Sequence, residues 1–293
     1  MAGRLEGKVS FITGAGRGQG RAHAVKQAAE GADIIAIDIC EDIASNPYPM
    51  SSWEDLLETK RQVESLGRTV VALKADVRDR AQLRAALKQG VDALGQLTTV
   101  CASAGILPLA MGDPEPLDFQ DAVDVDLIGV MNTLAVAIPH LTGGGRGGSI
   151  IITGSTAGLM EGTVGNDPTG TMGPGGNGYG WSKRTLVSYT EEMALHLAPH
   201  SVRVNCIHPT NVNTHLLHNE GIYGLFRPDL ETVTREDFEP ASTYFQALPV
   251  AWLEPADVAD LVCFLASDDA KYITGDNIRI DAGSLIKWPN GPS

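Results

Sequence analysis

Seven short apolar runs punctuate the chain: Val9–Thr13, Asp33–Asp38, Thr69–Lys74, Leu97–Ala102, Ser149–Thr153, Val202–His208 and Asn277–Asp281. Each is brief and flanked by turn residues, the signature of a strand buried on both faces. Amphipathic helical patterns fill most of the gaps. The alternation predicts an α/β fold, a doubly wound parallel sheet with helices on both faces. It runs almost to the end, so residues 1–293 are expected to form one domain.

Four stretches break the rhythm. Residues 40–52 carry Pro47, Tyr48 and Pro49 ahead of a helix near Trp53. Gly143–Gly148 reads as a glycine-rich tight turn. Residues 156–178 are long and glycine-rich, and residues 211–246 hold His215, Tyr223, Phe226, Phe238 and Tyr244. The last two follow the carboxyl ends of strands, where open α/β sheets bind ligands, so they are expected to be binding loops.

Charge narrows the ligand. The 293 residues carry a formal net charge of −14, which argues against nucleic acid and anionic membrane as partners and suits a small molecule. No run is expected to approach the ~18 apolar residues of a membrane helix. The segment Met1–Lys8 has no apolar stretch of the signal-peptide kind. Cys40, Cys101, Cys206 and Cys263 form no CxxC pair. They read as reduced thiols of a cytoplasmic protein.

The first strand runs into Thr13-Gly14-Ala15-Gly16-Arg17-Gly18-Gln19-Gly20. Glycines let a backbone approach a pyrophosphate, and the following helix N-terminus offers N–H donors and partial positive charge. Asp38 ends the second strand, where a carboxylate can accept hydrogen bonds from the adenosine ribose hydroxyls. It would also repel a 2′-phosphate. Arg17 pulls the other way, but Ile39 is not basic, and the balance favours NAD over NADP.

Far downstream, Tyr179 and Lys183 stand four residues apart. Such residues share one helix face. An ammonium there stabilises a phenolate and lowers the phenol's pKa toward the range alcohol oxidation needs. His215 and His218 lie three apart without a third nearby ligand, so no metal site is expected.

The TGxxxGxG spacing, together with Tyr179-Gly180-Trp181-Ser182-Lys183, resembles the short-chain dehydrogenase/reductase superfamily over nearly the whole chain. The resemblance implies a Rossmann-like fold. It implies adenine contacts at Asp76-Val77 and a family Asn-Ala-Gly position at Ser103-Ala104-Gly105. The nicotinamide-carboxamide segment would be Pro209–Thr214, with Val212 and Thr214 facing the cofactor. It assigns Ser155, in Thr153-Gly154-Ser155-Thr156, as the hydroxyl on the substrate oxygen, with Thr156 second for that role. Tyr179 becomes the base, and Lys183 the group that lowers its pKa and holds the nicotinamide ribose. Asp38-Ile39-Cys40 with the insertion after it, His208-Pro209-Thr210, Phe226–Leu230 and Tyr272–Gly275 look like the actinobacterial carveol-dehydrogenase-like group associated with mycofactocin. That implies tightly held NAD, electrons passed to a second redox carrier, an apolar cyclic secondary alcohol as substrate, and commonly a homotetramer.

Two positions depart from the family pattern. Its catalytic asparagine falls at Asp126, and the asparagine of Asn-Ala-Gly is Ser103. Asp126 keeps the backbone carbonyl that serves in the family, but adds charge and can pair with Lys183. These departures motivate a rival reading, a noncatalytic NAD-binding or sensing protein. A methyltransferase on a similar sheet is a second rival, and leaves Ser155, Tyr179 and Lys183 without work.

Overall fold

The computed structural model describes residues 3–109, 115–143, 145–160 and 172–288. Its strands are β1 (Val9–Thr13), β2 (Asp33–Asp38), β3 (Val70–Lys74), β4 (Thr99–Ala102), β5 (Gly148–Thr153), β6 (Val202–Pro209) and β7 (Asn277–Ile280). All pair in parallel, in the order β3-β2-β1-β4-β5-β6-β7. The order reverses between β1 and β4, so a crevice opens at their carboxyl ends. β3 and β4 begin one and two residues later than the apolar pattern suggests.

Alternate strand residues feed two cores. Ile34, Ala36, Ile151 and Ile207 point to one face, and Phe11, Ile35, Ile37, Ile150, Ile152 and Val204 to the other. The first face is covered by α1 (Gly18–Ala29), α2 (Trp53–Ser65) and, further along the chain, Pro255–Ala266. The second is covered by α3 (Arg80–Leu94), α5 (Gly129–Thr142) and α6 (Gly173–Leu197), with α4 (Pro116–Val123) packed on α6.

A single π-helical turn, Asp124–Ile128, joins α4 to α5 without a break. The joined stretch Pro116–Thr142 is long and apolar enough to cross a membrane, contrary to the expectation from the sequence. Its most apolar eighteen residues are 61% buried inside the fold, and the stretch carries Asp126 on its packed side. Its apolarity reflects a core position.

Helix α6 also differs from expectation. The glycine-rich stretch 156–178 reads as a loop, but α6 already starts within it, at Gly173. The glycines there pack rather than loop: a Cβ on Gly178 would meet the Phe119 carbonyl oxygen at 2.6 Å. Glycine weakens a helix by about 1 kcal/mol per residue, and close contact with α4 offsets that. Tyr179 therefore lies in the second turn, where the macrodipole acts weakly. Of the 156–178 insertion, residues 161–171 lie outside the described residues.

The stretch 211–246 is not a bare loop. It contains α7 (Glu220–Phe226) and α8 (Arg235–Phe245). They fold over an apolar cluster of Leu107, Leu217, Ile222 and Phe238. α9 is the Pro255–Ala266 helix, and α10 (Ser284–Lys287) closes the described chain.

Candidate active site

The predicted dinucleotide residues Gly14, Arg17–Gly20, Asp38, Ile39, Asp76, Val77, Ser103–Gly105 and Thr214 line one cleft across the β1/β4 crevice. Gly14 has φ +68°, and a Cβ on it would meet Ala104 Cα at 2.8 Å. The absent side chain leaves a backbone cradle against β4. No side chain caps the N-terminus of α1 at Arg17, so its first N–H groups stand ready for a pyrophosphate. Gln19 lines this cleft and the next, and its Oε1 is buried with no partner among the described residues. Cradle, helix terminus and orphan acceptor together fit a dinucleotide.

Asp38 is buried at the end of β2. Its carboxylate accepts from Gly16 N–H at 2.8 Å, from the Ser51 hydroxyl, and from Cys40 N–H at 3.4 Å. The Arg17 guanidinium donates to the Pro49 carbonyl. The cation that could have favoured NADP is thus turned to residues 40–52. Tyr48 from that segment is buried in the same cleft, its hydroxyl accepting from Leu107 N–H at 3.2 Å. Asp76 lines this cleft beside Val77, with its carboxylate paired to Arg78 at 2.7 Å.

Three supporting residues escaped the sequence reading. The Thr13 hydroxyl accepts from Ser103 N–H at 3.0 Å and Ala104 N–H at 3.1 Å, fixing the β4 turn to the glycine turn. Thr153 Oγ1 meets Ser103 Oγ at 2.8 Å. His208 spans the Ser155 carbonyl and the Asn277 amide, each at 2.9 Å. A threonine before the glycine turn is the one signal that pointed here.

Ser155, Tyr179, Lys183, Asp126 and Val212 line a second cleft of about 790 Å³ that adjoins the first. Thr156, Leu107, Met160, Leu217, Ile222, Leu225 and Phe226 also face it, so its lining is mostly apolar. His215 and His218 sit in a turn before α7, not on a helix. Both His218 ring nitrogens are engaged, with Tyr223 Oη at 2.9 Å and Asn213 Oδ1 at 2.8 Å. Among the described residues no three His, Cys, Asp or Glu side chains gather in a metal-holding group.

At the chemical end, Lys183 Nζ lies 5.4 Å from the Tyr179 ring centre, donates to the Thr153 carbonyl at 3.0 Å, and stands 3.0 Å from Asp126 Oδ1. Asp126 is fully buried, and its Oδ2 accepts from Ile106 N–H at 3.3 Å. Gly105 must be glycine here, because a Cβ would sit 2.7 Å from Asp126 Oδ1.

The electrostatics follow from burial and this pair. Burial raises the Tyr179 phenol most; Lys183 and the nearby Ser155 hydroxyl pull it down, and Asp126 pushes it up. The expected lowering by Lys183 is present but outweighed, so the phenol stays above its ordinary value. Burial also raises the Asp126 carboxyl, against the opposing pull of Lys183. For Lys183 burial disfavours the charge, and Asp126 and Tyr179 more than reverse that, so its pKa is raised.

A parallel sheet with a glycine turn on its first strand, and a serine, tyrosine and lysine converging beside it, defines a dinucleotide-dependent oxidoreductase. A family model described as enoyl-(acyl carrier protein) reductase matches residues 14–284. The chain belongs to the short-chain dehydrogenase/reductase family. It is 45% identical over 286 residues to (−)-trans-carveol dehydrogenase of Rhodococcus erythropolis, covering 97% of this chain and 99% of that protein. It is 47% identical over 290 residues to a putative short-chain type dehydrogenase/reductase of Mycolicibacterium smegmatis, covering 98% of this chain and 100% of that one. The crystal structure of carveol dehydrogenase from Mycobacterium avium, in complex with NAD, superposes with a TM-score of 0.88 at 42% identity, covering 97% of this chain and 99% of that one.

Proposed function

We propose that this NAD-dependent alcohol dehydrogenase interconverts a secondary, apolar cyclic, terpenoid-like alcohol and its ketone. The observation that carries the reading is the meeting of Ser155, Tyr179 and Lys183 on one mostly apolar cleft, continuous with the glycine-turn cleft. Bound NAD would supply the two-electron acceptor for the hydride of the carbinol carbon. The Ser155 hydroxyl orients the carbinol oxygen. Tyr179, as phenolate, takes its proton. Lys183 stabilises that phenolate, and Asp126 fixes Lys183. Gly14, Gly18, Gln19 and Gly20 would hold the pyrophosphate end, Asp38 the adenosine ribose, Ser103–Gly105 with Val212 and Thr214 the nicotinamide end.

The hydrogen bonds of residues 40–52 to Arg17, Asp38 and Leu107 support a further part of the reading. The segment lies fastened along the adenosine end, so NAD stays bound and an external, mycofactocin-like carrier reoxidises it. Exposed Leu117, Phe119, Ile128, Trp181 and Leu195 on α4–α6 support assembly into a homotetramer. The place of action would be the cytoplasm.

Tyr179→Phe tests the chemistry. Turnover with an artificial electron acceptor should fall by roughly 10²–10⁴, while NAD binding is kept. A variant that keeps most of its activity would move the base elsewhere. A wild-type protein that binds NAD yet oxidises no alcohol would favour the noncatalytic reading that Asp126 and Ser103 suggest.

A further inference from the structure

The serine placed at the substrate oxygen lies just past the point where the strand ladder can hold the chain. Gly154 N–H still donates to the Ile207 carbonyl at 2.8 Å. The ladder then stops, because Pro209 at the end of β6 has no N–H to give. Ser155 follows, fully extended at φ −166° and ψ 154°. Its hold has to come from a side chain.

In an extended residue the N–H and the carbonyl point the same way. His208, buried near the end of β6, meets both with one ring nitrogen. Its Nδ1 lies 3.3 Å from the Ser155 nitrogen and 2.9 Å from the Ser155 carbonyl oxygen. Carrying a hydrogen, Nδ1 donates to the carbonyl; without one, it accepts from the N–H. Either neutral tautomer therefore grips Ser155. Behind it, Nε2 meets the Asn277 side chain at 2.9 Å, and Asn277 donates to the Val187 carbonyl of α6 at 3.4 Å. Burial lowers the His208 pKa, these hydrogen bonds oppose it only in part, and Lys183 adds to the lowering, so the ring is neutral. Gly154 makes room for it, since a Cβ there would stand 2.6 Å from Nδ1.

The hydroxyl is oriented in turn. Ser155 Oγ accepts from Ala157 N–H at 3.1 Å, which uses one lone pair and leaves the O–H as a donor. Ser155 lines the second cleft, whereas His208 is not among the described residues that line it. The imidazole thus reaches the chemistry only through Ser155.

We infer that His208 is a positioning residue of the reaction: it clamps the extended backbone of Ser155 and so holds the Ser155 hydroxyl at the carbinol oxygen. The inference rests on the alcohol-dehydrogenase reading of the same cleft.

The test is a cycle of His208→Leu, Ser155→Ala and the double variant, each loaded with NAD and assayed with carveol and an artificial electron acceptor. One hydrogen bond is worth about tenfold, and a small misplacement of a reacting group costs more. In His208→Leu, kcat should fall roughly 10- to 100-fold, with NAD affinity by calorimetry unchanged. On the Ser155→Ala background the same change should cost less than about twofold. A full further loss there, or wild-type kcat in His208→Leu, overturns the inference. If His208→Leu does not fold, two amides answer instead. Asparagine puts a polar atom near the place of Nδ1 and keeps the grip on Ser155; glutamine reaches the place of Nε2 and keeps only Asn277. His208→Asn should then exceed His208→Gln in kcat by roughly tenfold, and an equal or reversed order overturns the inference.

A second readout needs no turnover. The Ser155 hydroxyl helps to lower the Tyr179 phenol. The ultraviolet absorbance of that phenolate, taken as the difference from Tyr179→Phe, should appear at higher pH in His208→Leu than in the wild type. With Ser155→Ala in place, His208→Leu should not move it further. The shift in a protein that oxidises no alcohol would keep the clamp and sink the proposed reaction. No shift in an enzyme that oxidises carveol overturns the clamp alone.

Discussion

Replacing Asp126 by asparagine separates the two charges that Tyr179 feels. Lys183 Nζ is 5.4 Å from the phenol ring centre, and Asp126 is 3.0 Å from Lys183 Nζ. The carboxylate is thus no more than about 8 Å from the ring, and at an effective dielectric of about 20 it opposes the phenolate by roughly 2 kcal/mol, or about 1.5 pKa units. Asparagine removes that repulsion and leaves the Lys183 ammonium to the phenolate alone. The base form of Tyr179 should then persist to lower pH. We expect the acidic limb of the kcat profile to move down by about 1–2 units, with higher turnover near neutrality. The cost falls on stability: Lys183 is almost wholly buried, and breaking a buried ion pair costs roughly 3–5 kcal/mol. The assay is kcat against pH for both forms, with one alcohol and one acceptor, beside thermal melts. A limb that stays put would mean that Asp126 is neutral in the working enzyme, and a limb that rises would refute the electrostatic argument.

Three further outcomes follow from the structure. NAD should bind apo protein more tightly than NADP by several kcal/mol, because a 2′-phosphate would meet the buried Asp38 carboxylate while Arg17 is turned to Pro49; equal affinities in titrations of both would show Arg17 swinging back. Arg17→Ala removes the anchor at Pro49 and should speed NAD loss from desalted protein, and unchanged retention would remove residues 40–52 from that role. His23 is buried with neither ring nitrogen partnered among the described residues, and burial lowers its pKa to about 3. The unfolded chain, with histidine near 6.5, binds the extra proton first. Stability should therefore fall by up to about 1.4 kcal/mol per pH unit as pH drops from about 6.5 toward 3, and denaturant melts of His23→Leu should show a flatter slope.

The strands were legible because short runs such as Ile34–Ile37 of β2 and Ile150–Ile152 of β5 are continuously apolar, a pattern that two-sided burial explains. The glycine turn and the Tyr179–Lys183 pair were legible because their spacing is dictated by backbone approach and helix periodicity. Helix α6 was misjudged at its start because Gly173, Gly175, Gly176 and Gly178 carry loop propensity. Only the proximity of α4, a tertiary fact, makes their missing side chains useful. The π-helical turn at Asp124–Ile128 has no periodic signature either, although it shapes the stretch that brings Asp126 to Lys183. The net rise of the Tyr179 pKa could not be read from spacing at all, since burial sets it.

The three donors on Asp38 have a consequence for how a nucleotide arrives. An ionised carboxylate offers about four lone-pair sites, and Gly16 N–H, the Ser51 hydroxyl and Cys40 N–H already use three of them. A ribose presents two hydroxyls. If the ribose docks on Asp38 as proposed, docking is a substitution, in which a sugar hydroxyl takes the seat of the Ser51 hydroxyl and Ser51 turns to another acceptor. On the proposed reading, the side chain that would select the cofactor also latches the segment beside it, so occupancy of the ribose site and the fastening of residues 40–52 would draw on the same few lone pairs.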